Sequence, residues 1–118
     1  MKVLLVDDSP MVRERLEAML GDIPDVDTIG QAGGSVEAIN SFRNLNPDVV
    51  ILDIQMPDGN GIGVLEKLRK AEQPPMVIVL TNQSYPQYRR KCMEAGADFF
   101  FDKSTEFDKV AEILKKSK

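Results

Sequence analysis

Five side chains able to bind ions or phosphate come directly after short apolar runs in this 118-residue chain. They comprise three carboxylates, one hydroxyl group and one ammonium group: Asp7, Asp8, Asp53, Thr81 and Lys103. Three carboxylates held within a few ångströms repel one another, and at least one pKa rises unless a cation compensates their charge. Mg²⁺ prefers oxygen ligands and often bridges to a phosphoryl oxygen. The set therefore predicts a Mg²⁺ site for a phosphorylated group, with Lys103 and Thr81 available to the remaining phosphoryl oxygens.

The apolar runs themselves predict five β-strands. They alternate with amphipathic segments and occupy residues 3–6, 26–32, 49–52, 76–80 and 99–101. Continuous apolar runs rich in β-branched residues are typical of strands that are buried on both faces, as in parallel sheets.

Between and after the runs, apolar residues at helical spacing predict five helices. The first helix is expected to have Ser9 as its N-cap and Pro10 as its first residue, because proline suits the first helical turn. Pro47 is expected to end the second helix before the third strand begins.

Two further helix starts are predicted from capping patterns. Residues 84–87 (Ser-Tyr-Pro-Gln) resemble a capping box for a fourth helix that runs to about Ala95. Residues 105–108 (Thr-Glu-Phe-Asp) are expected to open the fifth helix in the same way, with Val110, Ile113 and Leu114 on its inward face.

The alternation of strands and helices predicts the fold class. Five β–α repeats with short connections indicate an α/β domain: a flavodoxin-like, doubly wound, five-stranded parallel sheet with strand order 2-1-3-4-5. In such sheets, ligands bind outside the carboxyl ends of the strands. The acidic side chains, Thr81 and Lys103 are therefore expected at one edge of the sheet, close to one another.

The composition excludes several kinds of chemistry. The chain has no histidine, so it carries no Ser-His-Asp triad, no histidine general base and no HExxH zinc site. With one cysteine and no histidine, a structural zinc site is also excluded.

The composition also predicts the cellular compartment of the chain and the partners it does not bind. Its one cysteine cannot form an internal disulfide, which favours the cytoplasm. No apolar run approaches the ~20 residues that span a bilayer, and the first residues lack a signal-peptide pattern, so no membrane association is expected. A net charge of −4 with few aromatic residues argues against direct nucleic-acid binding.

Four motifs resemble those of the response-regulator receiver domains of bacterial two-component signalling, as in the chemotaxis regulator. They are VDDSP at residues 6–10, DVVILDIQMPDGNG at 48–61, VLTN at 79–82 and GADFFFDK at 96–103. The resemblance covers residues 2–114, and the combination of the four motifs at these spacings is highly specific. It implies a single receiver domain over residues 1–118, with no output domain in this segment.

The resemblance implies a role for each acidic residue. Asp53 is the expected phosphoacceptor, and it takes a phosphoryl group from the phosphohistidine of a sensor histidine kinase or phosphotransfer protein, or from a small phosphodonor. The missing histidine is then explained, because the partner supplies it. Asp8 is expected to bind Mg²⁺ directly and Asp7 mostly through water. Asp53 and the main-chain carbonyl of Gln55 complete the ligands, while Lys103 neutralises phosphoryl charge.

The resemblance also implies a conformational switch. Thr81 is expected to bond a phosphoryl oxygen and so move the loop after the fourth strand. Phe100 occupies the aromatic switch position, where its ring either rotates between core and surface or serves as plain core packing. The surface of the fourth helix, fifth strand and fifth helix then changes toward a downstream protein or a covalently linked effector domain.

One position departs from the family pattern, and two others correspond to positions that affect phosphoryl lifetime in the family. Ser104 follows Lys103 where the family commonly has proline, and this leaves open the cis peptide that the resemblance implies, because a non-proline cis bond costs ~3–4 kcal/mol. Gln55 and Gln83 lie two residues after the acceptor and the threonine, at positions that tune phosphoryl lifetime in the family. Two neutral amides at these positions can block or orient a water molecule.

Three rival functions share the fold or the chemistry. A Mg²⁺-dependent aspartyl-phosphate phosphatase has the motif Asp-x-Asp at the nucleophile, but the residue two after Asp53 is Gln55. A flavin or nucleotide carrier needs a first loop rich in serine, threonine and glycine to bind phosphate, whereas Asp7 and Asp8 repel phosphate. A pseudo-receiver, which binds partners without phosphate, stays open. A regulator that is not itself an enzyme is the prediction.

Overall fold

The computed structural model describes residues 1–117 and forms strands at each of the five apolar runs, with two further short strands. The strands of the described residues are β1 (Lys2–Val6), β2 (Asp27–Ala32), β3 (Val49–Leu52), β4 (Gln55–Met56), β5 (Gly59–Asn60), β6 (Met76–Thr81) and β7 (Phe99–Asp102). The helices are α1 (Pro10–Leu20), α2 (Ser35–Leu45), α3 (Gly61–Arg69), α4 (Pro86–Glu94) and α5 (Lys109–Lys116).

Five of these strands form one parallel sheet in the order β2-β1-β3-β6-β7. Counted along the chain within this sheet, the order is 2-1-3-4-5, so the predicted doubly wound fold is confirmed. Because β1 lies between β2 and β3, the strand order reverses between β1 and β3. Parallel strands end at the same edge, so Val6 pairs beside Leu52 and the residues after both strands emerge together.

Side chains of the sheet alternate between two separate cores. One face packs Leu4, Val50, Val77 and other buried residues against α2, α3 and α4. The opposite face packs residues such as Val3 and Ile51 against α1 and α5. Burial of both faces explains why the strands are continuous apolar runs instead of alternating ones.

The predicted start of α1 is confirmed. The Ser9 hydroxyl accepts a hydrogen bond from the Val12 amide at 3.3 Å, and Pro10 is the first helical residue. The second helix ends before Pro47 as expected, with Asn46 in the left-handed conformation at its C-cap (φ 49°).

The predicted capping box at the start of α4 is wrong. The helix begins at Pro86 after Tyr85, whose side chain makes no capping hydrogen bond. The Ser84 hydroxyl instead donates to the carboxylate of Asp102, a residue at the end of a neighbouring strand. A tertiary contact has taken the side chain that the sequence pattern assigned to the helix.

The predicted start of α5 is also wrong, because the helix begins at Lys109. Asp102 accepts hydrogen bonds from the amides of Ser104 and Thr105 at 2.7 and 3.2 Å, which holds this segment in turns. The inward residues are as predicted: Val110 and Leu114 are fully buried, and Ile113 packs against the same core.

A two-stranded hairpin, formed by β4 and β5, follows β3 and has no counterpart in the predicted elements. At its base, the Gly61 amide donates to the Ile54 carbonyl at 2.8 Å. A Cβ atom at Gly61 would lie 2.5 Å from the Cα of Ile54 and 2.6 Å from the carbonyl oxygen of Asp53, so only glycine allows this approach.

Two further expectations concern the backbone and membranes. Within the described part of the chain every peptide bond is trans, including Lys103–Ser104. No helix within residues 1–117 combines the length and apolar character needed to cross a bilayer.

Candidate functional site

Three carboxylates meet at the carboxyl ends of β1 and β3, as the sequence predicts. One oxygen atom from each of Asp7, Asp8 and Asp53 lies within 4.8 Å of the others. Asp7 and Asp53 are 2% and 4% exposed, whereas Asp8 is exposed to solvent. We call these three residues the acidic cluster.

Lys103 reaches this cluster from the end of β7, two strands away from β3. Its ammonium nitrogen lies 2.7 Å from Asp7 Oδ2 and 2.9 Å from Asp53 Oδ2. One cation is therefore shared between two buried carboxylates. The contact joins residues that are 96 and 50 positions apart in the chain, so only the fold can form it.

The second oxygen of each buried carboxylate is held by a backbone amide. Asp7 Oδ1 accepts from the Ser9 amide at 2.9 Å, and Asp53 Oδ1 accepts from the Gln55 amide at 3.0 Å. Both carboxylates are thus fixed in orientation by one amide and one ammonium group.

The electrostatics of the site follow from this sharing. Burial raises the pKa of Asp7, outweighing its hydrogen bonds to Lys103 and Ser9, and the nearby charge of Asp53 raises it further. Burial alone would lower the pKa of Lys103, but its bonds to the two carboxylates outweigh burial and raise it. One ammonium charge is shared by the two buried carboxylates of Asp7 and Asp53, so it does not neutralise both of them.

An open cleft of about 520 Å³ lies over the cluster. Its lining includes Asp8, Ser9, Asp53, Gln55 and Lys103. The donors around this cleft are carboxylate oxygens, which are the ligands that Mg²⁺ takes in proteins. The residues present therefore fit a magnesium ion beside a small anionic group.

Thr81 is placed differently from the other predicted site residues. It ends β6 with no exposed surface, and its hydroxyl accepts a hydrogen bond from the Gln83 amide at 3.1 Å. Its carbonyl accepts from the Lys103 amide at 2.9 Å. Among the described residues, the Thr81 hydroxyl makes no hydrogen bond with the acidic cluster.

Gln55 and Gln83 meet at a second cleft of about 260 Å³, which Tyr88 of α4 also lines. Gln55 borders both clefts, and its amide holds Asp53. The fold therefore brings the two glutamines to the same cleft, and one of them also binds Asp53.

The comparisons with known proteins agree with this arrangement. Residues 3–115 match the family model of the response regulator receiver domain. The chain belongs to this family.

Relatives of known sequence are longer proteins. The chain is 48% identical over 80 residues to a protein-glutamate methylesterase/protein-glutamine glutaminase of Rhizobium etli, a match that covers 68% of this chain and 23% of that protein. It is 33% identical over 118 residues to the sensory transduction protein LytT of Bacillus cereus, covering 100% of this chain and 47% of that protein. The receiver domain thus spans less than half the length of both relatives.

Solved structures show the same fold. The response regulator domain of Thermotoga maritima CheB superposes with a TM-score of 0.85 at 33% identity, covering 98% of this chain and 92% of that one. The isolated REC domain of RcsB from Salmonella enterica serovar Typhimurium, in the presence of phosphomimetic BeF3-, gives a TM-score of 0.88 at 27% identity. That match covers 100% of this chain and 90% of the RcsB domain.

Phe100, at the predicted aromatic switch position, lies in the core in this structure. It is 3% exposed and belongs to the core that packs against α4. The guanidinium group of Arg89 lies 5.7 Å from its ring centroid and donates to the Phe100 carbonyl at 3.3 Å. Rotation of the ring to the surface would therefore displace Arg89.

Sequence reasoning missed two acidic residues of the receiver domain, Asp58 and Asp102. Asp102 joins Ser84 to the turn after β7, and Asp58 binds the first amides of α2. The contact of Asp102 with Ser84 spans 18 positions and that of Asp58 with Ser35 spans 23, so neighbouring residues reveal neither contact.

Proposed function

We propose that this receiver domain is a phosphorylation-dependent switch in which Asp53 accepts the phosphoryl group. The observation that carries the proposal is the position of Asp53: a buried carboxylate that lines an open cleft, contacts Lys103 and lies beside Asp7 and Asp8. Membership of the receiver family supports the same role.

The proposed reaction is a displacement at phosphorus. An oxygen of the Asp53 carboxylate attacks the phosphorus atom of a partner's phosphohistidine, and the bond from phosphorus to the imidazole nitrogen breaks. The nitrogen keeps the electron pair of that bond, and the product is an aspartyl phosphate. With a small phosphodonor, the leaving oxygen takes the electron pair instead.

The residues of the site prepare this displacement. The amide of Gln55 and the ammonium group of Lys103 fix the orientation of the Asp53 carboxylate before the donor arrives. Asp7, Asp8, Asp53 and the main-chain carbonyl of Gln55 are the proposed Mg²⁺ ligands. When bound, the ion supplies neutralisation of phosphoryl charge, which dominates catalysis of phosphoryl transfer.

The proposed response begins at Thr81. An aspartyl phosphate carries roughly −1.5 to −2 charges, by analogy with other phosphorylated side chains, and attracts hydroxyl and ammonium groups. The Thr81 oxygen accepts from Gln83, so its own proton is available for a phosphoryl oxygen once the loop moves. That movement would shift residues 82–85 and, with rotation of Phe100, the surface formed by α4, β7 and α5.

The proposed partners follow from this scheme. A sensor histidine kinase or phosphotransfer protein donates the phosphoryl group, and a downstream protein or covalently linked effector domain reads the altered surface. We propose that residues 1–118 form one regulatory receiver domain, that it acts without being an enzyme for an external substrate, and that Gln55 and Gln83 set the lifetime of the phosphoryl group.

Intact-mass measurement tests the proposal directly. The chain is incubated with Mg²⁺ and a small phosphodonor, and the wild type should gain the mass of one phosphoryl group. Asp53→Asn should gain none. Asp48→Asn is the matched control, because Asp48 flanks the opposite end of β3, where its carboxylate accepts from the Lys2 amide at 2.7 Å. It should react like the wild type.

Two outcomes would replace the proposal with a rival. A wild-type chain that never gains mass with any phosphodonor or kinase would be a pseudo-receiver. Turnover of many equivalents of an unrelated phosphate ester would identify a phosphatase.

A further inference from the structure

The first turn of α2 is capped by a side chain from a different part of the chain. The helix follows Gly34, which has no side chain to bind the free amides at a helix N-terminus. The Asp58 carboxylate takes that place, accepting from the Ser35 amide at 2.8 Å and from the Val36 amide at 3.4 Å.

The local packing is shaped around this contact. A Cβ atom at Gly34 would lie 2.8 Å from Asp58 Oδ2 and 3.0 Å from Asp58 Cγ, so glycine leaves the room that the carboxylate occupies. The backbone hydrogen bond from Ser35 is the largest cause that lowers the pKa of Asp58, and the carboxylate stays ionised at neutral pH. A negative charge is also favourable at this end of a helix.

Asp58 sits at the tip of the hairpin that follows the acceptor. The hairpin strands β4 and β5 contain two residues each, and an isolated hairpin of this size has little stability of its own. Its base is fixed by Gly61, whose amide binds the Ile54 carbonyl. Within the described residues, the bonds from Asp58 to α2 are the polar contacts that fix its tip.

The hairpin also forms a wall of the candidate site. Gln55, Met56 and Pro57 line the cleft over Asp53, and the Gln55 amide holds the Asp53 carboxylate. The tip and the residue proposed to offer a main-chain ligand to Mg²⁺ therefore belong to the same short hairpin.

We infer that Asp58 is a positioning residue for the acceptor site, which it serves by tying the hairpin tip to α2 and so fixing Gln55 beside Asp53. The expected consequence, which is tighter Mg²⁺ binding and faster phosphoryl acceptance, rests on the proposed function. The effect of Asp58 on the order of the hairpin does not depend on phosphorylation.

The experiment compares three variants with the wild type. Asp58→Ala removes both acceptor oxygens, and Asp58→Asn keeps one. Asn46→Ala is the matched control, because it weakens the other end of the same helix by placing alanine at a left-handed position (φ 49°). For each protein, Mg²⁺ affinity is measured by calorimetry, hairpin order by amide exchange and ¹⁵N relaxation of residues 55–59, and stability by thermal unfolding.

Asp58→Ala and Asn46→Ala should both lower the unfolding midpoint. Only Asp58→Ala should weaken Mg²⁺ binding, by roughly tenfold, as expected when a residue that supports a metal ligand is removed. It should also speed amide exchange in the hairpin, while Asp58→Asn restores most of the affinity and order.

Two results would overturn the inference. One is unchanged hairpin order and Mg²⁺ affinity in Asp58→Ala; the other is an equal loss of affinity in Asn46→Ala, which would assign the effect to the stability of α2 alone. Failure of the proposed function looks different: the wild type itself would accept no phosphoryl group or bind no Mg²⁺. Amide exchange in the hairpin would then still decide whether Asp58 positions it.

Discussion

The two halves of the candidate site are organised in different ways. In the acidic cluster, carboxylates that follow β1 and β3 lie within 4.8 Å of one another, and Asp7 and Asp53 share Lys103 at 2.7 and 2.9 Å. Near the ends of β6 and β7, the polar side chains other than Lys103 bind elsewhere: Thr81 binds the Gln83 amide, and Ser84 binds Asp102.

The difference separates two tasks. In the proposed function, the groups that accept the phosphoryl group are already assembled, so little reorganisation is needed when the donor arrives. The groups proposed to respond to it are held by other contacts of modest strength, so a new charge can redirect them. The proposed switch needs both properties, which here lie at neighbouring strand ends.

Removal of Lys103 should have the greatest effect, because its ammonium group binds the acidic cluster and its amide binds the Thr81 carbonyl. Lys103→Met should slow phosphoryl acceptance by roughly a hundredfold or more, because a preorganised cation is lost beside a buried carboxylate. Time courses of intact mass with a small phosphodonor measure the rate. Lys109→Met is the control: its ammonium group pairs with Glu106 at 2.9 Å on the surface, and its loss should leave the rate unchanged. A normal rate in Lys103→Met would contradict the role of this lysine.

Removing the Thr81 hydroxyl should separate the two tasks. Thr81→Val keeps the shape of the buried side chain, so the aspartyl phosphate should form at nearly the wild-type rate. The chemical-shift response of α4 and β7 on phosphorylation should be lost, and stability should fall by about 1 kcal/mol through the missing hydrogen bond. NMR spectra with and without a phosphodonor measure the response, and Thr81→Ser should restore it. An intact response in Thr81→Val would mean that another group couples the halves.

Neutralising Asp7 should stabilise the fold while weakening the site. Burial raises the pKa of Asp7 above its ordinary 3.8, so its contribution to stability is present below that pH and is lost as the pH rises through the folded pKa. At neutral pH without Mg²⁺, Asp7→Asn should therefore unfold at higher denaturant concentration than the wild type. Added Mg²⁺ should stabilise the wild type more than the variant. Asp22→Asn, at an exposed position, is the control. An equal rise of the unfolding midpoint in both variants would contradict a destabilising charge at Asp7.

An effect confined to alkaline pH is expected in the core that packs against α4. Burial raises the pKa of the Cys92 thiol from 9.0 to about 11, so the folded state holds its proton longer than the unfolded chain. The free energy of unfolding should consequently fall as the pH rises between these values. Cys92→Ala should lack this part of the decline in chemical denaturation series. Identical pH profiles would show that the thiol does not contribute.

Local sequence features account for most of the fold. Continuous apolar runs predicted β1, β3 and β6, because strands buried on both faces need apolar residues at nearly every position. The weaker run at β2 and the phenylalanine run at β7 also predicted strands, although both elements are only partly buried. Ser9 and Pro10 predicted the start of α1 correctly, since both act within one turn. The capping box of α4 and the start of α5 were predicted wrongly, because the carboxylate of Asp102 takes the Ser84 hydroxyl and the amides of residues 104 and 105.

Strand ends and short motifs are read from neighbouring positions, so the amino-acid order is enough to predict the parallel sheet, the family and the acidic residues that meet at the sheet edge. The partners that these side chains take depend on the folded chain. It placed Lys103 between Asp7 and Asp53, turned Thr81 to Gln83 and set Asp58 on the first turn of α2. These contacts join positions that the chain order separates, or choose one of several acceptors within reach, and packing alone makes that choice.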